Sequence, residues 1–263
     1  MQTVHDTQHA LATLDASGIG TLQLRDAGTL NIIGSAAIAE LRAALKTLAA
    51  EPELLVLVLR GSGEHAFIGG ADIGEMATLD VISARTFISG LAGLCDTVMQ
   101  MPMPVIARLT GWCLGGGLEV ALACDLRLAD DSAVFGMPEL KVGIPSVIHA
   151  ALLPPLIGQS RADWLLLGCE NIDAARAEAW GLVHERCALG RLDELVERRA
   201  QSLAALPPQA LQQQKRLLQH WQTVPLAQAV QHSIEEFASA YATGEPQAAM
   251  GAFLARKAAR RSE

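Results

Sequence analysis

Aromatic residues are scarce in this 263-residue chain, at 4% with a single tyrosine. Since 51% of the residues are nonetheless hydrophobic, the core must be built mainly from alanine, leucine, valine and isoleucine. Positive charge is also in deficit. The formal net charge of −8 argues against non-specific binding to nucleic acid. The cations that exist gather near the C-terminus, at Arg256, Lys257, Arg260 and Arg261. That cluster reads either as a solvated helix end, where cations are favoured, or as a contact for phosphates. Cysteines are few and scattered, at 95, 113, 124, 169 and 187, with no C-x-x-C pair. Neither a zinc site nor a disulfide framework follows, and small core residues in a reducing compartment are expected. Met1 to Asp6 carries no basic stretch leading into an apolar one, and no uninterrupted apolar run approaches membrane-spanning length. The expectation is a cytoplasmic protein with no membrane partner, no nucleic-acid partner and no metal.

The length suits one large α/β domain or a domain with an appendage. Residues 1–18 are polar and indistinct. Gly20 to Arg25 alternates as a half-buried strand does. Leu30-Asn31-Ile32-Ile33 then leads to Ser35, an N-cap candidate for a helix over 36–48. Leu54 to Leu59 is apolar at every position, the mark of a strand covered on both faces. A helix is expected within 79–100, strands over 125–129 and 133–135, and helices over 161–167 and 172–180, the last capped by Asp173. An amphipathic helix follows over 192–205. Pro207-Pro208 is the clearest break, and divides residues 1–206 from a helical part over 207–263, with helices near 208–220, 225–242 and 245–259. Their apolar faces need a partner, either the core or a second subunit.

Residues 103–145 are the centre of the chain. Val105 to Leu109 reads as a buried strand, and Gly115-Gly116-Gly117 opens an apolar stretch interrupted only by Glu119. A strand running through a glycine turn into a buried helix leaves backbone N–H groups unpaired at the helix start, and glycine lets another molecule approach them. Twenty positions on, Glu139 stands in Phe135-Gly136-Met137-Pro138-Glu139, again among apolar neighbours. Two carboxyls in such surroundings beside free donors suit acid–base work on a carbonyl compound.

The stretches Gly111 to Glu119 and Phe135 to Glu139 resemble the G-x-x-L-G-G-G-x-E and F-G-x-P-E segments of the crotonase (enoyl-CoA hydratase/isomerase) superfamily. The resemblance extends over roughly the whole chain. It implies an α/β fold with a ββα spiral core and a helical C-terminal part. It also implies an acyl-CoA thioester as substrate, with coenzyme A arriving as part of it and no permanently bound cofactor. Glu119 and Glu139 would be the catalytic pair, and the N–H groups of Ala71 and Gly116 the oxyanion hole. Gly69, Gly70, Asp72, Ile73, Leu114, Gly115, Pro138, Ser146 and Arg256 would contact substrate, Arg256 at the phosphates. Several of these residues also have an ordinary reading. Asp72 suits an N-cap, Asn31 suits a side chain that holds a turn, and Met99, Met101 and Met103 suit core as well as an acyl pocket. The superfamily assembles through its C-terminal helices, so a homo-oligomer is expected, a trimer or a dimer of trimers.

Hydrating a double bond conjugated to a thioester requires water activated at Cβ and a proton delivered to Cα. Two carboxyls sharing one proton supply both, because one ionised group raises the pKa of the other. The resemblance assigns the water to Glu119 and the Cα proton to Glu139, as in an enoyl-CoA hydratase. A double-bond isomerase, an acyl-CoA hydrolase or a decarboxylase is the alternative within the superfamily, and a non-catalytic binding relative is the alternative outside catalysis. The sequence departs from the superfamily over 143–149. A glycine-rich turn is usual there, whereas this chain has Pro145 one place early and then Ser146, Val147 and Ile148. Such bulk suits a filled acyl pocket or a re-aimed water. His149 reads as a third polar group of the site or as a partly exposed helix residue.

Overall fold

The computed structural model describes residues 1–259. Arg260 and Arg261 of the basic cluster lie outside the described residues.

The chain opens with an antiparallel meander, β1 (Gln2–Asp6), β2 (Ala10–Leu14) and β3 (Ile19–Leu24). Two of these strands fall in the stretch that reads as indistinct. In β2 the inward residues Ala10, Ala12 and Leu14 do alternate with outward ones, but two of the three are alanine and give little contrast beside the outward Leu11. Next come β4 (Ile32–Ile33), α1 (Ser35–Ala49), β5 (Val56–Arg60), β6 (Ala66–Ile68), β7 (Gly70–Ala71), α2 (Ile73–Met76) and α3 (Val81–Met99). They are followed by β8 (Val105–Leu109), β9 (Trp112–Leu114), α4 (Gly116–Ala123), β10 (Leu126–Asp130) and β11 (Val134–Gly136).

These strands form two main sheets and a small one. The large sheet runs β1-β2-β3-β5-β8-β10 and ends on β13 (Glu185–Cys187), parallel from β3 onward. The second runs β12-β11-β9-β6, with β12 (Ile172–Asp173) antiparallel at its edge. β4 and β7 pair in parallel as a third. Successive turns of chain thus give one strand to the large sheet and the next to the second, which is the ββα spiral that the resemblance implies.

Both faces of the large sheet are covered, as the all-apolar run at 54–59 requires. Leu57 and Leu59 enter the main core with α1 and α3. Val56 and Val58 enter a second core beneath α8 (Leu192–Ala204), which contributes Leu192, Leu195, Val196 and Ala200. Each leucine or valine among them stabilises the fold by roughly 1.5–3 kcal/mol when fully buried. Met101 and Met103 are buried in the main core, so the core reading of these methionines holds. By length and composition α3 is apolar enough to cross a membrane, but Phe87, Leu91, Leu94, Cys95 and Val98 turn inward and it packs on α1 and α4.

Capping follows the sequence at Asp72 and Asp173, and Asp80 adds a cap that sequence reasoning does not name. Asp72 Oδ1 accepts the Glu75 N–H at 3.1 Å, Asp80 closes a capping box with Ser83, and Asp173 Oδ1 accepts the Arg176 N–H at 2.8 Å. At α1 it does not. Gly34 is the N-cap, and Ser35 is already helical with its hydroxyl donating to the Glu75 carboxylate.

Between β11 and β12 lie two 3₁₀ turns, Glu139–Val142 and Ile148–Leu152, then α5 (Leu153–Ile157) and α6 (Gln159–Leu166). α7 (Ala174–Trp180) precedes β13. The C-terminal helices are α9 (Pro208–Trp221), α10 (Leu226–Ala240) and α11 (Glu245–Ala259). The first is fastened to the spiral by Lys215, which is buried. Its Nζ donates to the Met103 carbonyl at 3.0 Å and to Asp125 Oδ2 at 2.7 Å. α10 buries Ala229 alone, and α11 buries no described residue.

Candidate active site

The site is built at the end of β9. Gly115 carries φ +51, a conformation costly for any residue with a Cβ, and this turns the chain from β9 into α4. One residue into α4, a Cβ on Gly117 would come within 2.1 Å of the Ile68 carbonyl oxygen, so only glycine lets α4 lie this close to β6. α4 also packs on β7. The ends of β7, β9 and β11 converge here. Gly115 N–H donates to the Gly136 carbonyl at 2.9 Å, and Gly70 lies beside the Leu114 carbonyl.

Two backbone donors are available at this junction. Gly116 is the first residue of α4, where N–H groups have no intrahelical acceptor; the first such bond belongs to Glu119, whose N–H donates to the Gly115 carbonyl at 3.0 Å. On β7, Asp72 N–H is used on the Ile33 carbonyl of β4 at 3.0 Å. Neighbouring N–H groups of an extended chain point to opposite sides, so that of Ala71 faces away from β4.

Glu119, in the first turn of α4, is 3% exposed. Its Oε1 accepts the Ala150 N–H at 3.0 Å. Burial pushes its carboxyl up to about 8; the Ala150 N–H works against that shift, and the nearby Glu139 charge adds to it. Glu139 opens the first 3₁₀ turn after β11 and is half-buried. Its Oε1 lies where a Cβ on Gly115 would be only 2.3 Å away, and its Oε2 accepts the Ser146 hydroxyl at 2.7 Å. The two glutamates, twenty residues apart in sequence, are therefore both brought to the glycine turn, near enough for the Glu139 charge to act on Glu119.

The other candidates fall into place unevenly. Gly69 N–H donates to the Leu30 carbonyl at 2.8 Å, and Asp72 is occupied as the cap of α2. Ile73 is exposed on α2, and Pro138 precedes the turn that carries Glu139. Arg256 is exposed in the last turn of α11. Asn31 is fully buried at φ +53 and donates to the Ser62 and Ala66 carbonyls at 3.0 and 2.7 Å, so it holds a turn. His149 is a partly exposed helix residue rather than a free polar group of the site. It sits on the 3₁₀ turn Ile148–Leu152 with its side chain 13% exposed, and its Nε2 is 3.3 Å from Asp96 Oδ1 of α3. Burial depresses its pKa, opposed by Asp96. Sequence reasoning passes over the Ala150 backbone donor and Asp96. A main-chain group leaves no residue signature, and Asp96 looks like an ordinary polar position of an amphipathic helix.

Gly115→Ala should lower turnover at least tenfold, because the added methyl needs the place of Glu139 Oε1 and the strained φ. Steady-state kinetics on the folded variant check this; unaltered kcat would show that the Glu139 position described here is not the working one.

Residues 15–261 match the enoyl-CoA hydratase/isomerase family, and the chain belongs to it. It is 34% identical over 242 residues to a Rhizobium meliloti (strain 1021) protein named as a probable enoyl-CoA hydratase, covering 92% of this chain and 93% of that one. It is 30% identical over 231 residues to the short-chain-enoyl-CoA hydratase of Clostridium acetobutylicum, covering 87% and 88%. The crystal structure of the enoyl-CoA hydratase from Bacillus anthracis superposes with a TM-score of 0.84 at 30% identity, over 88% of this chain and 90% of that one.

Proposed function

We propose that the chain is an enoyl-CoA hydratase, adding water across the 2,3 double bond of an enoyl-CoA thioester. The observation that carries this reading is the nearness of Glu119 and Glu139 at the Gly115 turn, one buried and held up near 8, the other half-buried with its carboxyl over that turn. A buried carboxyl that keeps its proton near neutral pH, beside a second carboxyl, offers the acid and base that addition and elimination of water require. The water oxygen bonds to Cβ, one water proton passes to a carboxylate, and a carboxyl proton passes to Cα. The charge that develops on the thioester oxygen is met by the N–H groups of Ala71 and Gly116, already oriented before the reaction.

Burial places the resting proton on Glu119. If Glu119 handles the water oxygen and Glu139 the Cα proton, this is the form ready for dehydration of a 3-hydroxyacyl thioester: Glu139 takes the Cα proton and Glu119 protonates the departing hydroxyl. Hydration then starts from the other tautomer, with the proton on Glu139. No permanently bound cofactor is needed, since coenzyme A enters with the substrate, and Arg256 is the proposed contact for its phosphates.

With crotonyl-CoA, the purified chain should bleach the enoyl thioester absorbance and yield a product heavier by one water in mass spectrometry. A shifted double bond without added water would replace this reading with isomerisation.

We further propose that the protein works as a homo-oligomer, a trimer or a dimer of trimers. Trp221, Leu226, Val230, Ile234 and Phe237 leave a continuous apolar face exposed on the C-terminal helices, and a second copy would cover it. Light scattering should give at least three times the 27.8 kDa chain mass; a monomer at micromolar concentration would sink this proposal.

A further inference from the structure

The segment that departs from the superfamily, residues 143–149, and Ala150 directly after it touch both glutamates. Ser146 Oγ donates to Glu139 Oε2 at 2.7 Å, and four residues later Ala150 N–H donates to Glu119 Oε1 at 3.0 Å. Among the described residues Ser146 is the one hydrogen-bond donor to the Glu139 side chain. Glu139 is half-buried on a short turn, so little else restrains its three side-chain torsions. Between the two contacts Ile148 is held at φ +40, a left-handed conformation that a β-branched residue adopts only when its surroundings impose it. The surroundings that do so are visible. His149 Nε2 lies 3.3 Å from Asp96 Oδ1, and the turn packs on both α3 and α4. Among the described residues His149 Nδ1 has no hydrogen-bond partner, so this ring is held by its Asp96 contact and its packing.

We propose that Ser146 is a positioning residue, its hydroxyl fixing the Glu139 carboxyl over the Gly115 turn, and that the stretch Ser146–Ala150, locked to α3 through His149 and Asp96, sets the spacing of the two carboxyls. This rests on the reading of Glu119 and Glu139 as the reacting pair. It differs from a substrate contact at Ser146, because the hydroxyl proton is committed to Glu139. It also gives the bulky departure from a glycine-rich turn a use. A flexible turn could not hold two groups at a fixed separation, whereas a strained and locked one can.

The test compares Ser146→Ala and Ser146→Thr in the full-length chain. Loss of the hydroxyl should lower kcat for crotonyl-CoA about tenfold while KM stays within about twofold, since a misplaced catalytic group slows chemistry without weakening binding. Threonine keeps the hydroxyl and should restore most of the rate. His149→Ala should reproduce the kcat loss from outside the site. A rise in KM at unchanged kcat, or a threonine variant as slow as the alanine one, overturns the proposal. A crystal structure of Ser146→Ala reads the same claim without turnover: the Glu139 carboxyl should leave its place over Gly115. A carboxyl that stays there overturns the proposal whatever the wild type catalyses, whereas an inactive wild type whose variant does lose that placement counts against the hydratase reading alone.

Discussion

Glutamine at position 119 or 139 should lower kcat for enoyl-CoA hydration by at least roughly a hundredfold, the lower end of what one general acid–base group contributes. The substitution is nearly isosteric. At 119 the amide oxygen can still accept the Ala150 N–H, and at 139 it can still accept the Ser146 hydroxyl, so the geometry survives. What is lost is the ability to take up or give an acidic proton. KM should change little, because the proposed oxyanion donors are backbone groups of Ala71 and Gly116. The double variant should lose less than the product of the two single losses, since the pair shares one proton and acts as a unit. An asymmetric result is the informative failure. If Glu139→Gln is inactive and Glu119→Gln keeps near-full turnover, one carboxyl is shuttling a proton and the enzyme isomerises rather than hydrates.

Glu119→Gln should also stabilise the protein, increasingly as pH rises above about 4.5. The Glu119 carboxyl is raised from an ordinary 4.5 to about 8 in the folded chain, so the folded state holds a proton that the unfolded chain has released. Stability from this group is complete below about 4.5 and falls as pH rises towards 8, beyond which it changes no further. At about 1.4 kcal/mol per pH unit the ceiling is roughly 5 kcal/mol, reduced by any relaxation around the charge. His184 acts in the opposite sense on the acid side. Burial, helped by the Arg127 charge, lowers its pKa to about 4, so its contribution is lost as pH falls from 6.5. The comparison must therefore be between the glutamine variant and wild type at each pH. Their melting temperatures should coincide near pH 5 and separate by several degrees by pH 8.5, the variant being higher; parallel curves would mean that Glu119 is not held protonated. Together the two results would show a group that costs stability in order to carry the reaction.

The legible parts of this chain are those where side-chain pattern alone fixes structure. The run at 54–59 announces a strand covered on both faces, and Val56 and Val58 do enter a different core from Leu57 and Leu59. The glycine turn before Glu119 is equally plain, because a positive φ and a carbonyl 2.1 Å from a would-be Cβ both demand glycine. Ser35 misleads because a serine before an apolar run looks like a cap, whereas Glu75, forty residues away, takes its hydroxyl. β2 escapes notice because alanine fills its inward positions. The link from Ser146 to Glu139 and the paired contact of His149 with Asp96 are tertiary facts. Residue types make them possible, and only the folding of the 143–150 segment against α3 and α4 makes them occur.

The Lys215 contact bears on how far the chain can be shortened. Asp125 Oδ2 receives both the Lys215 ammonium and the Val105 N–H, so one carboxylate ties the first residue of β8 to the C-terminal helices. β8 is a central strand, and the chain leaving it runs directly into β9 and the glycine turn. Deleting everything after Leu206 would strip the cation from a partly buried carboxylate and leave the Met103 carbonyl without its donor, at the start of β8. The helical tail is thus a keystone of the spiral as well as the proposed surface for neighbours, and a truncated chain should lose its substrate chemistry along with the proposed assembly.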